Sequence, residues 1–184
     1  REDAVKDIGA LLDWIAEQPY LDQSRVAVYG GSYGGYAALM GATKTPDLFQ
    51  CAISFAGISD IVKLRNSARY FINRNVMREQ LGHDKKQLRE TSPARLAERV
   101  KIPILLLHGA DDTIVPVDQS RLMAKRLKKY NKVYEYIELE GGSHHLDYLP
   151  HRKQTFEAMD AEVKKVQGID HPFFLTCPGL HQTA

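Results

Sequence analysis

The chain has 184 residues, 43% of them hydrophobic, which is enough to bury the core of one domain. Its 25 basic and 23 acidic residues are interspersed and leave a net charge of +2. This balance gives no basic surface of the kind that binds nucleic acid or anionic membranes. We therefore expect no nucleic-acid partner. Since no segment approaches the ~20 apolar residues of a transmembrane helix, we also expect no membrane partner.

Apolar periodicity predicts a chain in which helices and strands alternate. In chain order the elements are helix 3–17, strand 25–29, helix 32–42, strand 51–55, strand 102–107, helix 118–130, strand 133–139 and helix 151–166. Several strands are continuous apolar runs, which is typical of strands covered on both faces. The pattern therefore predicts an α/β fold with a mainly parallel sheet and helices on both of its faces.

Two segments depart from this alternation. Residues 58–96 are polar with scattered aromatic residues, and they are too long for a simple connection. We expect an insertion, helical in pieces, over one end of the sheet. Glycine and proline interrupt the pattern after residue 166, so we assign residues 1–166 to one domain and residues 167–184 to a tail of undetermined origin.

Two cysteines, Cys51 and Cys177, are too few for a disulfide framework. Cys51 opens an apolar run and is predicted to be a buried free thiol. We leave the compartment open and favour the cytoplasm over secretion.

A glycine-rich turn around Ser32 carries the first sign of chemistry. The sequence Gly-Gly-Ser-Tyr-Gly at residues 30–34 lies between a predicted strand and a predicted helix, which is the context of a nucleophile elbow. Glycines permit the strained turn, and the helix N-terminus favours developing negative charge. The backbone N–H of Tyr33 is then a candidate oxyanion donor. A phosphate loop would need a following Gly-Lys-Ser/Thr, and a dinucleotide fingerprint would need glycine at position 32.

Residues that could activate the serine follow two later strands. Asp111 and Asp112 come after strand 102–107, and His144 and His145 come after strand 133–139. The order serine, acid, histidine is that of α/β-hydrolases, whose sites lie at the carboxyl ends of strands. Either aspartate and either histidine satisfies this order. Beyond these residues only His108 could add a metal ligand, so we predict neither a metal site nor a cofactor.

The motifs resemble those of the catalytic domain of the prolyl oligopeptidase family of serine peptidases. The resemblance covers residues 2–166 and is carried by residues 30–36, 106–116 and 142–146. It implies an α/β-hydrolase fold and a peptide or acyl-ester substrate. It also selects Asp112 over Asp111 and His144 over His145, and so implies a catalytic triad with Ser32.

The resemblance also suggests four substrate-binding residues. Ile114 stands where the family often has arginine or asparagine, and Ile61 stands where dipeptidyl peptidase relatives have a pocket tryptophan. Tyr70 and Phe71 are further candidates for the pocket lining. Because an isoleucine at position 114 cannot hold a substrate carbonyl, a carboxylesterase acting on small acyl esters is the alternative to a peptidase.

The resemblance finally implies that part of the catalytic domain precedes Arg1. The family's sheet has about eight strands, and its earlier strands, its second oxyanion donor and its propeller would lie upstream of this residue. We therefore expect an N-terminally truncated domain. Strand 25–29 would be an unpaired edge, which predicts a homo-oligomer or a strand-exchanged dimer. A catalytically inactive, oligomerising fragment is the third hypothesis.

Overall fold

A computed structural model describes residues 2–67 and 81–168, together with Asn75 and Glu79. Helices and strands alternate along these residues, except that two helices lie between the second and the third strand. The elements are α1 (Glu2–Ala16), β1 (Ala27–Gly31), α2 (Tyr33–Lys44), β2 (Cys51–Phe55), α3 (Ile61–Ser67), α4 (Lys85–Glu90), β3 (Ile104–Gly109), α5 (Asp118–Lys129), β4 (Tyr134–Leu139) and α6 (Leu149–Gln167). None of the helices in the described ranges is both long and apolar enough to cross a membrane.

The four strands form one parallel sheet in the order β1-β2-β3-β4. In its register Ala52 pairs with Val28 on one side and with Ile104 on the other, and Ile104 pairs in turn with Tyr134. All four carboxyl ends therefore lie at the same edge of the sheet, where open α/β sheets place their sites. The predicted α/β class is confirmed.

The two central strands, β2 and β3, are buried along their whole length. Because successive side chains point to opposite faces, Leu106 packs toward α2 and α5, and Leu105 packs toward α6. Cys51 lies among the second set as a free thiol, and burial raises its pKa to about 11. Helices on both faces thus explain why these strands read as continuous apolar runs.

Two strands end later than their apolar runs predict. Strand β1 continues to Gly31, and β3 continues to Gly109. Gly31 still pairs with Phe55, and Gly109 still pairs with Leu139. Because glycine adds no apolar side chain to the pattern and His108 is polar, the last two residues of each strand could not be predicted from periodicity.

The described parts of the insertion are helical in pieces, as predicted. Helices α3 and α4 are followed by 3-10 turns at Pro93–Arg95 and Ala97–Arg99. Gln119 at the start of α5 fastens the insertion, since its Oε1 accepts hydrogen bonds from the backbone N–H groups of Ser59 (2.9 Å) and Asp60 (2.8 Å). The insertion is thereby attached to α5, the helix that follows the loop containing Asp111 and Asp112.

Within the described residues β1 and β4 are the edge strands of the sheet. Pairing of two copies through β1 stays a prediction. Most of the predicted tail, residues 169–184, lies outside the described residues.

We expect Leu106→Ala to lower the free energy of unfolding by about 2–5 kcal/mol, because it opens a cavity at a side chain with 0% exposure. The matched variant Leu48→Ala, at a side chain that is 42% exposed, should cost less than about 0.5 kcal/mol. Urea unfolding of both variants measures the difference. Equal losses would contradict the placement of Leu106 in the core.

Candidate active site

Ser32 occupies a strained turn between β1 and α2. Its φ is +56°, in a region that residues other than glycine rarely adopt. Its N–H donates to the carbonyl of Phe55 (2.9 Å), and its own carbonyl accepts from the N–H of Tyr36 (3.1 Å). These bonds hold the strained conformation from both sides, and such an over-determined outlier is a sign of function.

Gly30 is required for this turn. A Cβ at Gly30 would lie 2.2 Å from the carbonyl carbon of Gly34, a distance that no side chain tolerates. The backbone of the first turn of α2 therefore lies directly against the last part of β1, which places Ser32 at the end of the strand.

Tyr33 is the first residue of α2. Its N–H belongs to the first helical turn, whose amides have no acceptor within the helix. The same amides carry the partial positive charge of the helix dipole. The predicted oxyanion donor is therefore an amide next to Ser32 at a helix N-terminus, and the Tyr33 ring is 52% exposed beside it.

Asp112 is buried in the loop after β3, and its carboxylate is held on both oxygens. Oδ1 accepts hydrogen bonds from the backbone N–H groups of Ile114 and Val115, both at 2.8 Å. Oδ2 accepts from Nδ1 of His144 at 2.6 Å. Asp111, by contrast, has an exposed side chain.

The bond to Asp112 defines the protonation of His144. A carboxylate only accepts hydrogen bonds, so Nδ1 of His144 carries the proton, and Nε2 of the neutral ring is left with a lone pair. His144 and Ser32 line the same open cavity of about 440 Å³. Its remaining lining residues are Tyr29, Gly31, Phe55, His145 and Leu146. The arrangement can pair a serine hydroxyl with an acid-oriented histidine.

Two glycines bring the acid loop against the histidine loop. A Cβ at Gly109 would lie 2.3 Å from the carbonyl oxygen of Gly142, so the two backbones are in contact. Two hydrogen bonds join the loops there, from the N–H of Ala110 to Leu139 (2.9 Å) and from the N–H of Asp111 to Gly142 (3.0 Å). The short bond between Asp112 and His144 depends on this close approach.

The sequence identifies His108 only as a possible metal ligand, whereas the structure places it against Asp112. Its ring is fully buried, with Nδ1 2.7 Å from Oγ of Ser120 and Nε2 2.9 Å from the carbonyl oxygen of Val115. Nε2 also lies 3.2 Å from Oδ2 of Asp112. One feature of the sequence could have indicated this contact. His108 is a polar residue in the otherwise apolar run Leu-Leu-Leu-His-Gly, just before the loop that contains Asp112.

The predicted substrate-binding residues have different surroundings. Ile114 is 45% exposed in the acid loop. Ile61 is only 2% exposed and packs in a core cluster with Tyr36, Met40 and Leu88. Tyr70 and Phe71 lie outside the described residues. Contact of any of the four with substrate stays a prediction.

The burial of His108 predicts a pH dependence of stability. Burial lowers its pKa below the ordinary 6.5, although the bond to Val115 and the charge of Asp112 act in the opposite direction. Between the folded and unfolded pKa values only the unfolded chain binds this proton. We therefore expect the free energy of unfolding to fall, as the pH drops below about 6.5, by up to about 1.4 kcal/mol per pH unit from this group.

The control for this pH dependence is His108→Gln, which keeps polar hydrogen-bonding groups but cannot titrate. Urea unfolding at several pH values should show the stability advantage of the native chain over this variant shrinking on acidification. Parallel curves for the two proteins would contradict a neutral, buried His108.

Known hydrolases are similar to this chain in sequence. The sequence profile of the prolyl oligopeptidase family matches residues 1–166. Dipeptidyl aminopeptidase BIII of Pseudoxanthomonas mexicana is 33% identical over 138 residues, covering 71% of this chain and 20% of that protein. Esterase LipC of Mycobacterium tuberculosis is 28% identical over 146 residues, covering 70% of this chain and 36% of the esterase.

Solved structures of peptidases are also similar to this chain. The structure of a puromycin-hydrolyzing peptidase from Mycobacterium tuberculosis superimposes with a TM-score of 0.80 at 30% identity, covering 91% of this chain and 26% of that one. The chain thus spans only about a fifth to a third of the length of these relatives.

Proposed function

The chain belongs to the prolyl oligopeptidase family, and on this basis we propose that it is a serine hydrolase that cleaves peptide bonds. Ser32 is the nucleophile, His144 is the general base and Asp112 orients the histidine. One observation carries the proposal. Ser32, in its strained turn, and the acid-bonded His144 line the same cavity.

Acylation begins at the Ser32 hydroxyl. Its oxygen attacks the carbonyl carbon of the scissile bond while Nε2 of His144 takes the hydroxyl proton. The carboxylate of Asp112, 2.6 Å from Nδ1, stabilises the imidazolium that forms. The same bond keeps His144 in the tautomer that can accept the proton, so the histidine is ready before substrate arrives.

The negative charge of the tetrahedral intermediate develops at the first turn of α2. The N–H of Tyr33 donates to this oxyanion, and the helix dipole adds to the stabilisation. His144 then passes its proton to the leaving amine as the carbon–nitrogen bond breaks. Water, activated by the same histidine, hydrolyses the acyl-enzyme ester and restores the Ser32 hydroxyl.

We expect a fluorophosphonate to label the protein at Ser32. Ser32→Ala should abolish labelling, since the nucleophilic oxygen is lost, and His144→Ala should lower its rate by at least about 10³-fold, since the base is lost. Intact-mass measurement and peptide mapping give the extent and the site of labelling.

The matched control is His145→Ala. His145 is exposed and lines the same cavity, but the structure pairs His144 with Asp112. We expect the His145 variant to keep most of the native labelling rate. Loss of labelling in this variant but not in His144→Ala would show that His145 is the base. Absence of labelling in well-folded native protein would contradict the proposal.

A carboxylesterase is the second candidate function. The observation that favours it is Ile114, an exposed apolar side chain whose own N–H is bonded to the catalytic acid. Its side chain offers no hydrogen bond to a peptide carbonyl at this position, and an apolar side chain is compatible with a small acyl chain. The similarity to an esterase is consistent with this alternative.

Substrate turnover distinguishes the two candidates. Because an amide has a poorer leaving group than a nitrophenyl ester, a peptidase must supply more transition-state stabilisation and should hydrolyse both classes. We expect turnover of aminoacyl p-nitroanilides as well as of p-nitrophenyl esters, each abolished by Ser32→Ala. Ester turnover with no anilide turnover would favour the carboxylesterase.

A further inference from the structure

His108 is a buried titratable group that the proposed reaction does not use. Its side chain has 0% exposure and stands at the end of β3, four residues before Asp112. Three polar atoms surround the ring, namely Oγ of Ser120, the carbonyl oxygen of Val115 and Oδ2 of Asp112. An apolar side chain would fill this space without the cost of burying polar nitrogens.

The surrounding atoms assign the protons of the ring. The carbonyl oxygen of Val115, 2.9 Å from Nε2, can only accept, so Nε2 carries a proton. The Ser120 hydroxyl, 2.7 Å from Nδ1, can then donate to the unprotonated nitrogen. A Ser120 hydroxyl that donates in this way leaves His108 neutral, and burial, which lowers the pKa of His108, favours this state. The Nε2–H of His108 then faces both Val115 and the carboxylate of Asp112.

The Nε2–H of His108 lies between Val115 and Asp112, two residues of the loop that follows β3. The Val115 N–H donates to Oδ1 of Asp112 (2.8 Å), while the Val115 carbonyl accepts from His108. The His108 ring also lies 3.2 Å from Oδ2, the oxygen that accepts from His144. The ring thus restrains the backbone that holds one carboxylate oxygen and lies against the other.

We infer that His108 is a positioning residue for Asp112, and that it acts through this carboxylate on the orientation of His144. The inference rests on the proposed function, since it concerns the same reaction. His108 contacts neither the serine nor the cavity in the described structure, and its role is to fix the rotation of the Asp112 carboxylate. A neutral donor suits this place, because a cation there would compete with His144 for the acid.

The first test reads the tautomer of His108 in the native protein. Nitrogen-15 NMR of histidine-labelled protein at neutral pH should show His108 protonated at Nε2 and unprotonated at Nδ1. A proton on Nδ1, or a doubly protonated ring, would overturn the inference without any substitution.

The second test compares two amide variants that differ by one methylene. The side chain of His108→Gln reaches the position of Nε2 and can donate to Val115 and Asp112, whereas that of His108→Asn is too short. We expect the Asn variant to lose about 10–100-fold in kcat, the range found when the outer partners of a metal-bound histidine are removed. KM should change by less than about threefold, because substrate binding is not involved. The Gln variant should stay within about threefold of native kcat.

A spectroscopic signature accompanies the kinetics. The downfield proton resonance of the His144 Nδ1–H, which reports the bond to Asp112, should persist in the Gln variant and shift or broaden in the Asn variant. Equal kcat values and equal resonances in the two variants would contradict a positioning role, whether both match the native protein or both fall below it.

The outcomes separate this inference from the proposed function. If the native protein is folded and a fluorophosphonate does not label Ser32, the proposed function fails. If native labelling occurs at Ser32 and both His108 variants are labelled at the native rate, only the role of His108 fails. Thermal unfolding of each variant verifies the fold, and the NMR tautomer remains decisive should the Asn variant not fold.

Discussion

The buried carboxylate of Asp112 is the constraint on which the described site depends. A charge removed from water must be matched by donors, or its burial costs several kcal/mol. Two backbone amides satisfy Oδ1, and His144 satisfies Oδ2 at 2.6 Å. Among the described residues, His144 is the side chain that donates to this carboxylate at such a short distance, so the requirement to satisfy the acid also fixes the ring of the proposed base.

The parallel sheet makes this arrangement possible. It ends β1, β3 and β4 at one edge, and each of the three strands leads directly into one member of the proposed triad. Two glycines then allow the backbone segments that carry these residues to approach each other closely. Gly109 lets the acid loop contact the histidine loop, and Gly30 lets α2 begin against β1 so that Ser32 projects from the turn. The common direction of the strands and the glycines at their ends together bring the three residues to one edge of the sheet.

Much of this arrangement could be predicted from the sequence, because apolar runs and glycine-rich turns have local causes. The class of the fold and the positions of all four described strands follow from such patterns. The role of His108 could not be predicted, since it depends on Ser120 and Val115, residues that the chain brings around the ring only after folding. Ile61 shows the same limit, because its neighbours Tyr36 and Leu88 lie far from it in sequence.

In the proposed reaction, Ser32 attacks a carbonyl whose oxygen is bound at the N-terminus of α2. A crystal structure of the protein after reaction with a fluorophosphonate would show both features in one experiment. We predict a phosphorus–oxygen bond to Oγ of Ser32, a phosphoryl oxygen within hydrogen-bond distance of the Tyr33 N–H, and Nε2 of His144 beside the serine oxygen. An adduct on another residue, or a phosphoryl oxygen directed away from α2, would rule out Ser32 as the nucleophile or α2 as the oxyanion site.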